Sequence, residues 1–99
     1  MLYAAHCIDK PGTSALREAT RAAHLDWLKL HQGKIAVGGP YLAADGVTIT
    51  GSLMIIESPD EAAARALYAG EPFMQCGLFE SVDIRPFRWS TNVSGTSAR

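Results

Sequence analysis

The order of its patterned segments constrains this chain more than any other feature. Two helix-length segments, Ser14 to Gln32 and the alanine-rich run from Ser58 to Gly70, alternate with runs that read as strands. The succession is β-α-β-β-α-β, the split arrangement of ferredoxin-like folds. A chain of 99 residues has room for one such core and no second. The expected fold class is therefore α+β, with a four-stranded antiparallel sheet carrying both helices on one face.

The first strand runs from Leu2 to Ile8. Leu2, Ala4, His6 and Ile8 alternate with Tyr3, Ala5 and Cys7, and both sets suit burial, as in a central strand. Asp9-Lys10-Pro11-Gly12 ends it as a turn. Lys34 to Leu42 and Val47 to Glu57 form a hairpin through Ala43-Ala44-Asp45-Gly46, where Asp-Gly is the turn signal. Gly38-Gly39-Pro40 predicts a bulge or a close backbone approach in the first of these strands. Leu53 to Ile56 is continuously apolar. Leu78 to Phe87 is the last strand, with Leu78, Val82 and Ile84 on one face and Phe79 on the other. Residues 1–88 thus form the domain, and residues 89–99, rich in Ser, Thr and Gly, form a flexible tail.

Helix ends carry their own signals. Thr13 or Ser14 is placed to cap the first helix and Gly33 to stop it. Leu16, Ala19, Ala23, Trp27 and Leu30 share one arc, the expected core stripe. Thr20, His24 and His31 lie on its shoulder, with Arg17 and Leu28 just beyond. Ser58-Pro59-Asp60-Glu61 reads as a capping box with Ser58 as N-cap, Pro59 as first residue and Glu61 reaching back.

With both helices on one face, the other face is left bare. If Tyr3, Ala5, Cys7 and half of Leu53 to Ile56 line it, the patch is large enough to need a partner. A homodimer packed sheet against sheet, or a higher oligomer built on it, is the expectation. Other partners are constrained by charge. Nine Lys and Arg against ten Asp and Glu give a net charge of −1, too little positive field for nucleic acid. No apolar run reaches membrane-spanning length, and the N-terminus lacks a leader pattern. Two cysteines, Cys7 and Cys76, make no disulfide framework and read as reduced thiols in a cytoplasmic protein.

Few residues carry chemistry. His24, at the margin of the core stripe, is placed to exchange protons near neutral pH. The plainer reading is a boundary histidine bonded to a carbonyl. Glu71, just before Pro72, reads as the N-cap of a short turn, or as the carboxylate that orients His24. His31 lies seven residues from His24, roughly 10 Å along the helix, too far to share a metal. Neither a metal nor another cofactor is expected.

Several segments in order resemble the YciI-like (YCII-related) family. They are Met1-Leu2-Tyr3, Arg21-Ala22-Ala23-His24-Leu25, Gly38-Gly39-Pro40, Gly51-Ser52, the helix from Ser58 to Leu67, Glu71-Pro72-Phe73, Gly77 to Val82 and Arg85-Pro86-Phe87. The resemblance implies a dimeric α+β barrel of ferredoxin-like protomers, related in fold to muconolactone isomerases. It also implies a His–Asp active-site pair. His24 matches the histidine, and Glu71 stands where the family's Asp-Pro-aromatic motif has its aspartate. One relative in the family is similar to a dehydrochlorinase of a chlorinated hydroxyquinol.

The expectation drawn from residues and resemblance together is lyase- or isomerase-type proton transfer on a small cyclic or aromatic-derived molecule. His24 and Glu71 would be the catalytic pair, and Gly39, Pro40, Ser52, Pro72 and Phe73 the substrate-binding positions. The alternative is a non-catalytic, small-ligand-binding or regulatory dimeric module.

Overall fold

The computed structural model of the chain describes residues 1–91. Its elements are β1 (Leu2–Asp9), α1 (Ser14–Leu30), β2 (Ile35–Leu42), β3 (Ile49–Glu57), α2 (Glu61–Ala69), α3 (Pro72–Gln75) and β4 (Phe79–Phe87), with a 3-10 turn at Gln32–Lys34. The four strands form one sheet in the order β2-β3-β1-β4, and every neighbouring pair is antiparallel. This is the α+β ferredoxin-like arrangement that the segment order predicts. No helix among the described residues is long and apolar enough to cross a membrane.

The helices cover the face that carries Tyr3, Ala5, Cys7, Met54, Ile56 and Ile84, all buried against Trp27, Ala64, Tyr68 and Phe73. That overturns the expectation that Tyr3, Ala5 and Cys7 line the bare face. The alternation along β1 is as expected, but apart from His6 both sets are apolar, and that one polar residue is the only sequence signal for which side is open. The opposite face carries Ala4, His6 and Ile8, with Leu53 paired to His6 and Ile55 to Ala4; Leu2 and Ile55 of this side are buried, so the open part centres on His6, Ile8 and Leu53. Val37 and Tyr41 of β2 extend it.

Helix α1 corrects the sequence reading in the same way. Of its predicted stripe only Trp27 is buried; Leu16 is exposed, and Leu30 is 78% exposed. The inward side runs from Trp27 of the stripe across the shoulder residues Thr20 and His24 to Arg17 and Leu28 just beyond them. The helix is rotated by about a quarter-turn from its apolar arc. Polar groups occupy the inward face, so hydrophobic periodicity points elsewhere. The helix ends at Leu30 with His31 as C-cap, before Gly33 is reached, and Thr13 sits at its start without a side-chain cap bond. The Thr13 hydroxyl donates instead to the Lys10 carbonyl at 2.6 Å.

At α2 the cap is Asp60, whose carboxylate accepts the Ala63 amide at 2.8 Å, rather than Ser58. The Ser58 amide donates to the Met1 carbonyl at 2.9 Å, which holds the chain extended beyond β3, and its hydroxyl donates to the Asp60 carbonyl. Asp60 is therefore the first residue free to cap. The small side chains of α2 let it lie close on the sheet, with Ala64 and Tyr68 fully buried.

The β2–β3 hairpin turns where Asp-Gly predicts. Asp45 accepts the Val47 and Thr48 amides and the Thr48 hydroxyl, which holds its carboxyl down at about 2, and Gly46 has a φ of 71°. Gly38-Gly39-Pro40 keeps its ladder pairing with Met54, Leu53 and Ser52; the irregularities fall on either side, at Ile35/Val37 and Tyr41/Leu42. Because β2 is an edge strand, Pro40 costs it no inner hydrogen bond. A further irregularity pairs Asp9 with Phe79 and Ile8 with Ser81, so Phe79 turns inward to join Val82 and Ile84 on the covered face. Gly51 is fixed by a close approach: a Cβ there would run into the Cys7 carbonyl. After β4, Trp89 packs edge-on against Phe87 at 5.0 Å. The remainder of the expected tail, residues 92–99, lies outside the described residues.

A candidate active site between the first helix and the sheet

The turn Gly70-Glu71-Pro72 returns the chain from α2 to the flank of α1. Pro72, at the start of α3, has no amide to satisfy and a preset φ, and Glu71 precedes it as N-cap. The Glu71 side chain is 1% exposed. Its Oε1 accepts the Phe73 amide at 3.1 Å and lies 2.8 Å from Nδ1 of His24. Both sequence readings of Glu71, cap and histidine partner, are thus realised by one oxygen. Oε2 is buried with no partner among the described residues.

His24 is half-buried and its ring stacks on Phe73, with centroids 4.2 Å apart and planes 21° from parallel. Glu71 engages Nδ1, so with a carboxylate acceptor Nδ1 carries the proton and Nε2 presents a lone pair. His24 lines a cavity of about 600 Å³ between α1 and the β2–β3 edge of the sheet. Its apolar wall includes Leu28, Ile35, Met54 and Phe73; Gly39, Pro40 and Ser52 come from the strands, and Arg17, Arg21 and Lys29 are its cations.

Behind Ser52 lies a buried polar pair. The Cys7 thiol is 3.1 Å from the Tyr68 hydroxyl. Burial pushes the Cys7 thiol up to about 11, against the opposing effect of its contacts with Tyr68 and Ser52. Burial also raises Tyr68. Both stay protonated at neutral pH, so neither serves as a nucleophile or base there.

Of the positions expected from sequence, His24, Gly39, Pro40, Ser52 and Phe73 line the cavity. Glu71 stands behind His24, and Pro72 is absent from the wall. Pro72 sets the turn instead. Arg17 and Arg21 line it too, and their spacing of seven and three residues before His24 on one helix is the sequence signal for them. Among the described residues no group of three His, Cys, Asp or Glu is gathered as a metal site.

A sequence profile for the YCII-related domain matches residues 1–88. The chain belongs to the YCII-related family. YciI of Escherichia coli is 33% identical over 95 residues, covering 89% of this chain and 97% of that protein. An uncharacterised protein of Haemophilus influenzae is 30% identical over the same shares. Among solved structures, the chain is similar to the 5-chloro-2-hydroxyhydroquinone dehydrochlorinase TftG of Burkholderia phenoliruptrix, in complex with 2,5-dihydroxybenzoquinone. That likeness has a TM-score of 0.81 and 33% identity, and covers 88% of this chain and 93% of the other. The YCII-related fold of this chain is that of a protomer of the dimeric α+β barrel class.

Proposed function

We propose that this YCII-related protein is a small-molecule enzyme in which His24 transfers a proton on a hydroxylated ring, in the manner of a lyase or isomerase. The observation that carries the reading is the buried Glu71 carboxylate 2.8 Å from Nδ1 of a histidine whose ring lines a cavity. A carboxylate there selects the tautomer with a free Nε2 and stabilises the imidazolium formed when Nε2 accepts a proton. The electron pair left on the substrate moves into the ring system, and in an elimination the leaving group departs with its bonding pair. Backbone amides near Gly39 and the Ser52 hydroxyl, both on the cavity wall, are the groups placed to meet a developing oxyanion. TftG, a dehydrochlorinase of the same fold in complex with a dihydroxylated quinone, supports a substrate of this kind.

Two copies joined through the open sheet face belong to the same reading. Ala4, Leu53 and Val37 lie on that face with no helix over them, and burying them requires a second surface of the same character.

The functional reading is tested by titrating the protein with 2,5-dihydroxybenzoquinone while following its amide and histidine resonances. The expected result is a saturable perturbation centred on His24, Ser52 and Phe73. No perturbation with this or related hydroxylated rings would sink it. Binding without any proton transfer would favour the non-catalytic ligand-binding module.

A further inference from the structure

The segment Glu71–Phe73 grips His24 on two sides, by its edge through Nδ1 and by its face through the stacked Phe73 ring. Phe73 is itself held. Arg17 and His24 are seven residues apart on α1, so they share one side of the helix about 10 Å apart along its axis. The Phe73 ring fills the gap between them: the Arg17 Cζ lies over the ring at 4.6 Å, and the His24 ring at 4.2 Å. Arg17 is fixed in turn. Its Nε and Nη2 each donate to Asp9 at 2.9 Å, and both side chains are largely buried. Such a two-pronged pair sets the plane of the guanidinium.

The geometry points to Asp9, Arg17 and Phe73 as positioning residues for His24, a stack anchored on β1 that sets the imidazole plane and neutralises the charge behind it. The inference rests on the reading that His24 is the proton acceptor. A general base must hold its lone pair in one direction. The hydrogen bond to Glu71 fixes one edge of the ring but leaves it free to turn about that bond; the flat contact with Phe73 removes this freedom. A lone cation at Arg17 would oppose formation of imidazolium across the ring, and Asp9 cancels it. The other charges around it are Glu71, bonded to its Nδ1, and Glu18, Arg21 and Lys29, which line the same cavity.

The test is the titration of His24, followed by NMR in ligand-free protein, in the unsubstituted chain, Arg17→Gln and Asp9→Asn. Arg17→Gln leaves the Asp9 carboxylate unbalanced and moves the His24 midpoint up. Asp9→Asn leaves the Arg17 charge unbalanced and moves it down. Each charge acts from beyond the Phe73 ring, so each shift is about half a pH unit or less, the Asp9 one the smaller. A merely structural pair would lose stability in both variants without opposite shifts, so shifts of one sign, or none, overturn the proposal. Should either variant not fold, Phe73→Leu keeps both charges and most of the volume. It is expected to keep the tautomer that Glu71 selects but to let the ring turn about that bond, read as lowered order of the His24 ring; a ring as ordered as in the unsubstituted chain overturns the proposal. None of these readouts needs a substrate. Their failure leaves proton transfer by His24 standing, whereas a stack that behaves as described in a protein that acts on no ring would fail the functional reading alone.

Discussion

Oε1 of Glu71 lies 2.8 Å from Nδ1 of His24 and accepts the Phe73 amide at 3.1 Å, so one carboxylate oxygen joins a helix cap to the orientation of a cavity-lining histidine. Stability and chemistry are therefore coupled at this residue. Glu71→Ala removes the one oxygen that serves both contacts, and is expected to cost about 1–3 kcal/mol. Glu71→Gln keeps an acceptor for Phe73 and is expected to cost under about 1 kcal/mol, while losing the charge that stabilises imidazolium. Chemical denaturation of the two variants checks this. Equal losses would show that the cap bond contributes nothing separable.

How much of this was legible in the sequence follows from what each residue does. The segment order gave the sheet topology because each helix and strand carries its own local signals. The Asp45-Gly46 turn is one such signal and the Glu71-Pro72 cap another. What the sequence could not settle was orientation. β1 is apolar on both sides save for His6, and a single polar residue is a weak signal for which side the helices cover. The inward side of α1 is built from Trp27 and the polar residues Arg17, Thr20 and His24, which the apolar period of Leu16 and Leu30 obscures. His24 and Glu71 were found because each residue type in its local setting has few uses. The Asp9–Arg17–Phe73 stack was not, since it joins three elements with no spacing rule between them.

Burial of Cys7 has a measurable pH signature. The folded state raises the thiol from 9.0 to about 11. The unfolded chain gives up this proton first, so the group's contribution to stability is complete below about pH 9 and is lost as pH rises towards 11. Denaturation midpoints between pH 8 and 11 are expected to fall, and Cys7→Ser is expected to flatten that part of the curve. A thiol reagent at pH 8 should label the half-buried Cys76 well before Cys7. Equal labelling in the native protein would contradict the burial.

The open sheet face makes its own prediction. Light scattering at micromolar concentration is expected to give twice the 10.6 kDa chain mass. Leu53→Arg, which places a charge at the centre of that face opposite His6, is expected to give the single-chain mass without unfolding. A monomeric unsubstituted protein, or a dimer indifferent to Leu53→Arg, would place the interface elsewhere or remove it.

The central claim is that His24 moves a proton on a hydroxylated ring. Deuterium uptake from heavy water into the ring positions of hydroxyquinols and hydroxyquinones measures that step without requiring a particular leaving group. With the unsubstituted protein the exchange is predicted to accelerate. With His24→Gln, which keeps an amide donor for Glu71 and whose folding is checked by its unfolding midpoint, the acceleration is predicted to fall by about 10²–10⁴-fold. Equal acceleration by the two proteins, or none by either across the series, would contradict the account.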